Sequence, residues 1–208
     1  MNKFKVIYAD PPWTFKTYSK KGLGRSAEAH YDCMDLEAIK ALGPQVKDWA
    51  DKDSVLLMWV TDPFLQKGFE VIESWGFKYK TVGFYWVKTK YIVSDNGMYS
   101  KIINPIGTGY WSRANPEQCL LATKGHPKRL NADVHKLVNS ERRQHSQKPD
   151  EMYSKIERLC EGPYLEMFAR QTAPGWTAWG NEVETGPGVR RWSSKGYPEQ
   201  CVTDSLSP

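Results

Sequence analysis

The stretch Phe4-Lys5-Val6-Ile7-Tyr8-Ala9-Asp10-Pro11-Pro12-Trp13 decides how this chain is read. Phe4 to Tyr8 is a short β-branched and aromatic run, the pattern of a buried strand. A strand that runs into Asp-Pro-Pro cannot simply continue. Each proline removes a backbone N–H and holds the residue before it in an extended conformation. The result is a stiff, non-helical turn at the carboxyl end of a strand, which is where open α/β sheets bind ligands. That turn offers the Asp10 carboxylate, proline carbonyls that no neighbouring N–H has to claim, and the aromatic face of Trp13.

These groups suit one chemical task. The exocyclic amine of adenine is a poor nucleophile because its lone pair is delocalised into the ring. Acceptors at Asp10 and the Pro11 carbonyl would favour the pyramidal, electron-rich amine needed to attack an electrophilic methyl. Such acceptors act on the transition state rather than on uniform binding. Trp13 is placed to stack on the base. A turn with a capping Asp and a packing Trp is the alternative reading of the same four residues.

Working outward, 208 residues with 40% hydrophobic and 25% charged content fit one globular core. No run approaches the ~20 apolar residues of a membrane span, and the N-terminus lacks a signal-peptide pattern. A cytoplasmic protein with no membrane association is therefore expected. The cysteines Cys33, Cys119, Cys160 and Cys201 are scattered without a C-x-x-C spacing and read as reduced thiols. His30, His126, His135 and His145 form no ligand spacing, so no metal is expected. The net charge of +5 permits a nucleic-acid partner.

Residues 14–31, with Lys16, Lys20, Lys21 and Arg25, read as a loop over the turn, a lid or a plain solvated segment. Asp35 caps a helix from Leu36, which Gly43-Pro44 interrupts. Ser54 to Val60 is a continuous apolar run, as in a parallel strand buried on both faces. Asp62 then caps a helix with Pro63 at its first position, with Phe64, Gly68, Val71, Ile72 and Trp75 on one face and Gly76 as stop. Lys78 to Lys88 is a further strand, and strand–helix–strand makes the class α/β.

Between Lys88 and Arg113 basic residues are interleaved with Tyr91, Tyr99, Tyr110 and Trp111, a composition that suits unstacked nucleic acid. Glu117 to Thr123 reads as a strand and residues 124–145 as a basic loop. Pro149 opens a helix with Met152, Tyr153, Ile156 and Leu159 inward, which leaves Lys148 as a poor N-cap. A broken local rule points to a function, here donation to a ligand carboxylate. Tyr164 to Arg170 and Trp176 to Glu182 are the last strands. Their polar ends are placed to bind ribose hydroxyls.

Taken in order, D-P-P-W, W-V-T, Y-W-V-K-T, G-T-G-Y-W, E-x-C-L, S-x-K-P-D-E-M-Y and E-M-F-A-R with W-G-N-E resemble the MT-A-seventy-like family of adenine amino-methyltransferases. The match runs from about Val6 to Glu184. The resemblance implies a Rossmann-like S-adenosylmethionine-dependent methyltransferase fold, a mostly parallel sheet flanked by helices, with the catalytic motif before the cofactor motif. The expected methyltransferase domain covers 1–185, and 186–208, rich in Gly, Pro and Ser, reads as an irregular tail. On that template Asp10, Pro11, Pro12 and Trp13 are the catalytic motif. Asp10, Lys148, Phe168, Arg170, Asn181 and Glu182 contact the cofactor, S-adenosylmethionine. The family's F-G-R is Phe168-Ala169-Arg170 here.

The expected activity is N6 methylation of adenine in nucleic acid, with DNA preferred because the chain looks like the small single-domain members. RNA is the alternative, and a non-catalytic nucleic-acid-binding partner subunit a third reading. A homodimer is expected from how little surface one small domain offers for base readout.

Overall fold

The computed structural model describes residues 3–14, 33–93, 100–107, 109–142, 147–180 and 183, apart from the side chains of Val93, Ser100 and Lys101. The expected lid, Asn181, Glu182 and the tail lie outside the described residues. In chain order the elements are β1 (Phe4–Ala9), α1 (Leu36–Ala41), α2 (Gly43–Trp49), β2 (Ala50–Val60), α3 (Leu65–Ser74), β3 (Lys78–Val93), β4 (Ser100–Ile103), β5 (Glu117–Lys124), β6 (Leu137–Glu141), α4 (Glu151–Leu159), β7 (Tyr164–Met167) and β8 (Trp176–Trp179).

All eight strands join one sheet in the order β4-β3-β5-β2-β1-β7-β8, with β6 also on β3. β1 lies between β2 and β7 and pairs parallel with both, and β8 continues parallel on β7. The carboxyl ends of β1, β2 and β7 therefore share one edge, with the helices that lead into β2 and β7 on opposite faces of the sheet. That is a topological switch point, the crevice where such sheets bind ligands.

The α/β expectation holds, with one refinement. The sheet is parallel around β1, β2, β7 and β8, but β5 runs antiparallel to both β2 and β3, and β4 antiparallel to β3. β5 therefore inserts between the strands of the β2–α3–β3 unit, which still run in the same direction. This has a consequence for the site: β5 starts where β2 ends, and Gln118 pairs with Val60.

Alternate residues of the central strands bury opposite faces, as the pleat requires. Ile7, Ala9, Leu56, Met58 and Val60 pack with Ile39, Val46, Val71 and Trp75 from α1, α2 and the α3 region. Val6, Tyr8, Leu57 and Trp59 pack with Met152 and Ile156 of α4. Burial on both faces is why these strands read as unbroken apolar runs.

Local signals held where side chains decided them. Asp35 caps α1, its carboxylate accepting from the Ala38 amide at 2.7 Å. Gly76 takes the left-handed φ of 84° after α3. Two helix starts differ. Asp62-Pro63-Phe64 is a 3-10 turn, and α3 begins only at Leu65. Asp150, not Lys148, is the N-cap of α4. There the Met152 amide bonds to the Pro149 carbonyl and the Tyr153 amide to Asp150, so the entry is a tight i→i+3 turn. Lys148 stands before this turn, and its poor capping ability carries no weight. β3 also runs on to Val93 and pairs antiparallel with β4, which puts part of the basic and aromatic stretch after Lys88 into the sheet.

Candidate active site

Asp10 leaves the end of β1 with its backbone amide directed to the Met167 carbonyl of β7 at 3.5 Å. Its side chain meets Lys148: Nζ to Oδ2 is 2.7 Å. The Lys148 side chain is 9% exposed, and its Nζ also lies 3.5 Å from Glu117 Oε2 and 5.5 Å from the Trp59 ring centre. Glu117, the first residue of β5, binds Lys88 Nζ at 2.5 Å through its other oxygen. The insertion of β5 thus creates an alternating chain, Asp10–Lys148–Glu117–Lys88.

The two carboxylates respond oppositely. Burial raises the Asp10 pKa above its ordinary value, and the opposing pull of Lys148 does not fully offset it. Burial also pushes Glu117 up, but Lys148 and Lys88 together carry it below the usual carboxylate range.

Tyr8, Asp10, Gln147, Lys148, Pro149, Tyr153, Glu166, Phe168, Arg170 and Gln171 line an open cleft at the carboxyl ends of β1 and β7. The Tyr153 hydroxyl donates to Glu166 Oε2 at 2.8 Å. Burial, with the nearby Asp10 charge, lifts Glu166 to about 7 despite that hydrogen bond. At the rim Gln147 donates to Gln171 at 3.1 Å, and Gln171 donates to Asp150 at 3.2 Å. Cations beside carboxylates in one cleft suit a small ligand carrying both charges.

Phe168 has φ 63°, a left-handed backbone that a bulky side chain avoids and that clusters at functional sites. The strained residue of the F-A-R segment is therefore Phe168, while Ala169 lies outside the left-handed region. That is how alanine serves where the resemblance has glycine. Ala169 is instead pinned by the next strand, its amide donating to the Trp179 carbonyl at 2.9 Å. A Cβ on Gly180 would stand 2.0 Å from the Ala169 carbonyl oxygen, so the glycine of G-N-E is needed for this close approach.

Sequence reasoning expected Asp10, Lys148, Phe168 and Arg170 in one place, and the structure brings all four to the cleft. It corrects two details of the turn. The proline carbonyls are not unclaimed: Pro11 accepts from the Trp13 amide at 2.9 Å and Pro12 from the Met34 amide at 2.8 Å. One lone pair on the Pro11 oxygen is left for a ligand. Trp13 is not an open stacking face. It is 8% exposed, stacks on Phe64 at 5.6 Å, and its indole N–H donates to the Trp59 carbonyl. The turn is folded back on the core, which a linear motif cannot reveal.

Glu117, Glu166, Tyr8, Gln147 and Gln171 were missed. One signal was available. Glu166 sits in an otherwise apolar strand, where a carboxylate is costly without a task.

Residues 4–182 match the MT-A70 family model. The chain belongs to the MT-A70 family. It is 31% identical to the N(6)-adenosine-methyltransferase MT-A70-like protein of Drosophila melanogaster over 98% of this chain and 31% of that protein. The N(6)-adenosine-methyltransferase catalytic subunit METTL3 of Homo sapiens is 31% identical over 98% of this chain and 33% of its own length. The chain thus spans about a third of these relatives. The Type II methyltransferase M.MunI of a Mycoplasma species is 32% identical over 87% of this chain and 78% of that protein. The family is one of methyltransferases with a Rossmann-like fold. Among the described residues no helix is long and apolar enough to cross a membrane, and no group of three or more His, Cys, Asp or Glu could hold a metal ion.

Proposed function

We propose that this MT-A70 chain uses S-adenosylmethionine to methylate the N6 amine of adenine in nucleic acid. The observation that carries the reading is the Asp10–Lys148 pair at the mouth of the switch-point cleft. The donor set fits the cofactor's chemistry: Lys148 and Arg170 suit a carboxylate, while Glu166 suits an ammonium or hydroxyls. Bound there, S-adenosylmethionine would supply a methyl group on a positively charged sulfur.

The chain's own residues do the rest. Asp10 accepts an N–H of the adenine amine and stabilises the positive charge that develops there during attack. The remaining lone pair of the Pro11 carbonyl takes the second N–H. Asp10 need not be a strong base, because the proton leaves only after the nitrogen has become cationic. Trp13 and Phe64 brace the turn, so the acceptors are fixed before the substrate arrives. The target adenine enters unpaired or flipped from a duplex.

RNA is the polymer better supported, because relatives from fly and human are named for adenosine, the ribonucleoside. This reverses the preference for DNA drawn from the sequence. DNA stays as a second reading through the similarity to M.MunI, most of whose length this chain matches.

The test is methyl transfer from labelled S-adenosylmethionine to duplex DNA, single-stranded DNA and single-stranded RNA of matched sequence, followed by nucleoside digestion. N6-methyladenosine from RNA is expected. Product from DNA alone establishes the second reading, and no product from any substrate leaves the partner-subunit reading.

A further inference from the structure

Among the described residues, six large hydrophobic side chains between residues 91 and 111 are exposed: Tyr91, Ile92, Ile102, Ile106, Tyr110 and Trp111. Of the described large hydrophobic residues the last two are the most exposed, at 89% and 96%. A lone exposed apolar residue needs no explanation, but a concentration of them marks an interaction surface.

The segment from residue 104 to 116 is built to hold this pair out. Trp111 has φ 67°, a left-handed backbone that a bulky residue avoids. The Ser112 amide bonds back to the Tyr110 carbonyl at 2.8 Å, and the Gly107 amide closes the neck on the Ala114 carbonyl at 2.7 Å. A Cβ on Gly109 would lie 2.2 Å from the Ser112 carbonyl oxygen, so no other residue fits. Asn115 ties the base of the loop to β3. Its side chain accepts from the Lys88 amide at 3.0 Å and donates to the carbonyls of Lys88 at 2.9 Å and Pro105 at 2.7 Å.

Lys88 joins this loop to the chemistry. Its backbone holds Asn115, while its Nζ binds Glu117 in the ion chain that ends at Asp10. Trp111 lies six residues from Glu117, within about 20 Å even for extended chain. Three cations lie nearby: Arg113, Lys90 and Arg142 are exposed, the Arg142 amide bonds to the Thr89 carbonyl beside Lys90 at 3.4 Å, and the acidic neighbour Glu141 takes the Tyr91 amide at 2.9 Å.

We propose that Tyr110 and Trp111 form a stacking platform for unpaired bases flanking the target adenine, with Lys90, Arg113 and Arg142 along the phosphates. The proposal rests on the nucleic-acid reading above and assigns its strand a path. Two adjacent aromatics held out beside exposed cations fit a single strand, because every base has a π-face while its backbone carries negative charge.

The test titrates wild type, Tyr110→Ala/Trp111→Asn and Trp111→Phe with fluorescein-labelled single-stranded RNA and DNA 12-mers. S-adenosylmethionine affinity and sedimentation mass are measured on the same samples. Asparagine accepts the left-handed backbone, so the loop keeps its shape. The double variant should bind the strands at least tenfold more weakly, since each lost stack is worth ~5–150-fold. Trp111→Phe should keep most of the affinity, and cofactor affinity and mass should not change.

Strand affinity within twofold of wild type in the double variant overturns the platform while leaving the proposed function standing. A wild-type dimer that becomes monomeric in the double variant also overturns it and makes the surface an interface between copies. A wild type that binds S-adenosylmethionine but neither strand removes the nucleic-acid reading and the platform with it.

Discussion

Lys148 Nζ and Asp10 Oδ2, 138 residues apart in sequence, meet at 2.7 Å in the cleft. The residue expected at the cofactor carboxylate and the residue expected at the substrate amine therefore share one ion pair. Glu117, at 3.5 Å from the same ammonium, keeps a carboxylate partner for Lys148 when Asp10 is altered. Asp10→Asn should thus leave the protein folded, lower turnover by about 100-fold or more, and weaken S-adenosylmethionine binding far less. Single-turnover rates alongside calorimetric binding check this, and unchanged turnover would remove Asp10 from the chemistry.

Lys148→Met should behave differently. It leaves the Asp10 and Glu117 carboxylates near each other in a largely buried place, with Lys88 at Glu117 and the Arg170 charge near Asp10 to compensate. Breaking such a pair costs about 3–5 kcal/mol. Urea unfolding should show that loss, and cofactor affinity should fall together with it. A variant of full stability would mean that solvent relaxes around the two carboxylates.

Glu166 makes stability depend on pH. Its folded pKa is about 7 against an ordinary value of 4.5. The folded state therefore holds a proton that the unfolded chain releases. The stabilisation from the neutral form is complete below about pH 4.5 and is lost as pH rises through about 7. The shift corresponds to about 3 kcal/mol at most. Glu166→Gln, which keeps an acceptor for Tyr153, should flatten the decline in unfolding free energy between pH 5 and 8. Parallel slopes for the two proteins would place the titration elsewhere.

Trp13 separates packing from base stacking. Trp13→Phe keeps a ring against Phe64 and loses the bond to the Trp59 carbonyl, an expected cost of about 1 kcal/mol. Trp13→Ala opens the core and should cost about 3–5 kcal/mol. Because the ring is buried, both should act on stability and turnover more than on substrate KM. A rise in KM alone would restore the stacking role.

Gly180→Ala should destabilise the protein by about 3 kcal/mol, because a Cβ there has only the Ala169 backbone to displace. Thermal unfolding measures this directly. Full stability would show that the ends of β7 and β8 can part without cost.

The fold class and half of the site were legible because they depend on local chemistry. A β-branched run stopped by Asp10-Pro11-Pro12 names a strand end whatever surrounds it. Asp35 and Gly76 mark helix ends through bonds they make to their own neighbours. The ordered motifs around Lys148, Phe168 and Arg170 carried the family. None of these required knowing what lies across the sheet.

What the tertiary structure alone decided is pairing between distant segments. Glu117 reaches Lys148 because β5 inserts antiparallel beside β2, a choice its apolar pattern does not encode. Trp13 turns from an open face into a brace because Phe64 and the Trp59 carbonyl come from other elements. The Pro11 and Pro12 carbonyls lose their freedom to amides at Trp13 and Met34. Local dihedral preferences and hydrogen bonds to near neighbours are written in short stretches of sequence. Burial and charge pairing are properties of the assembled sheet, and they settle which of those residues face the ligand.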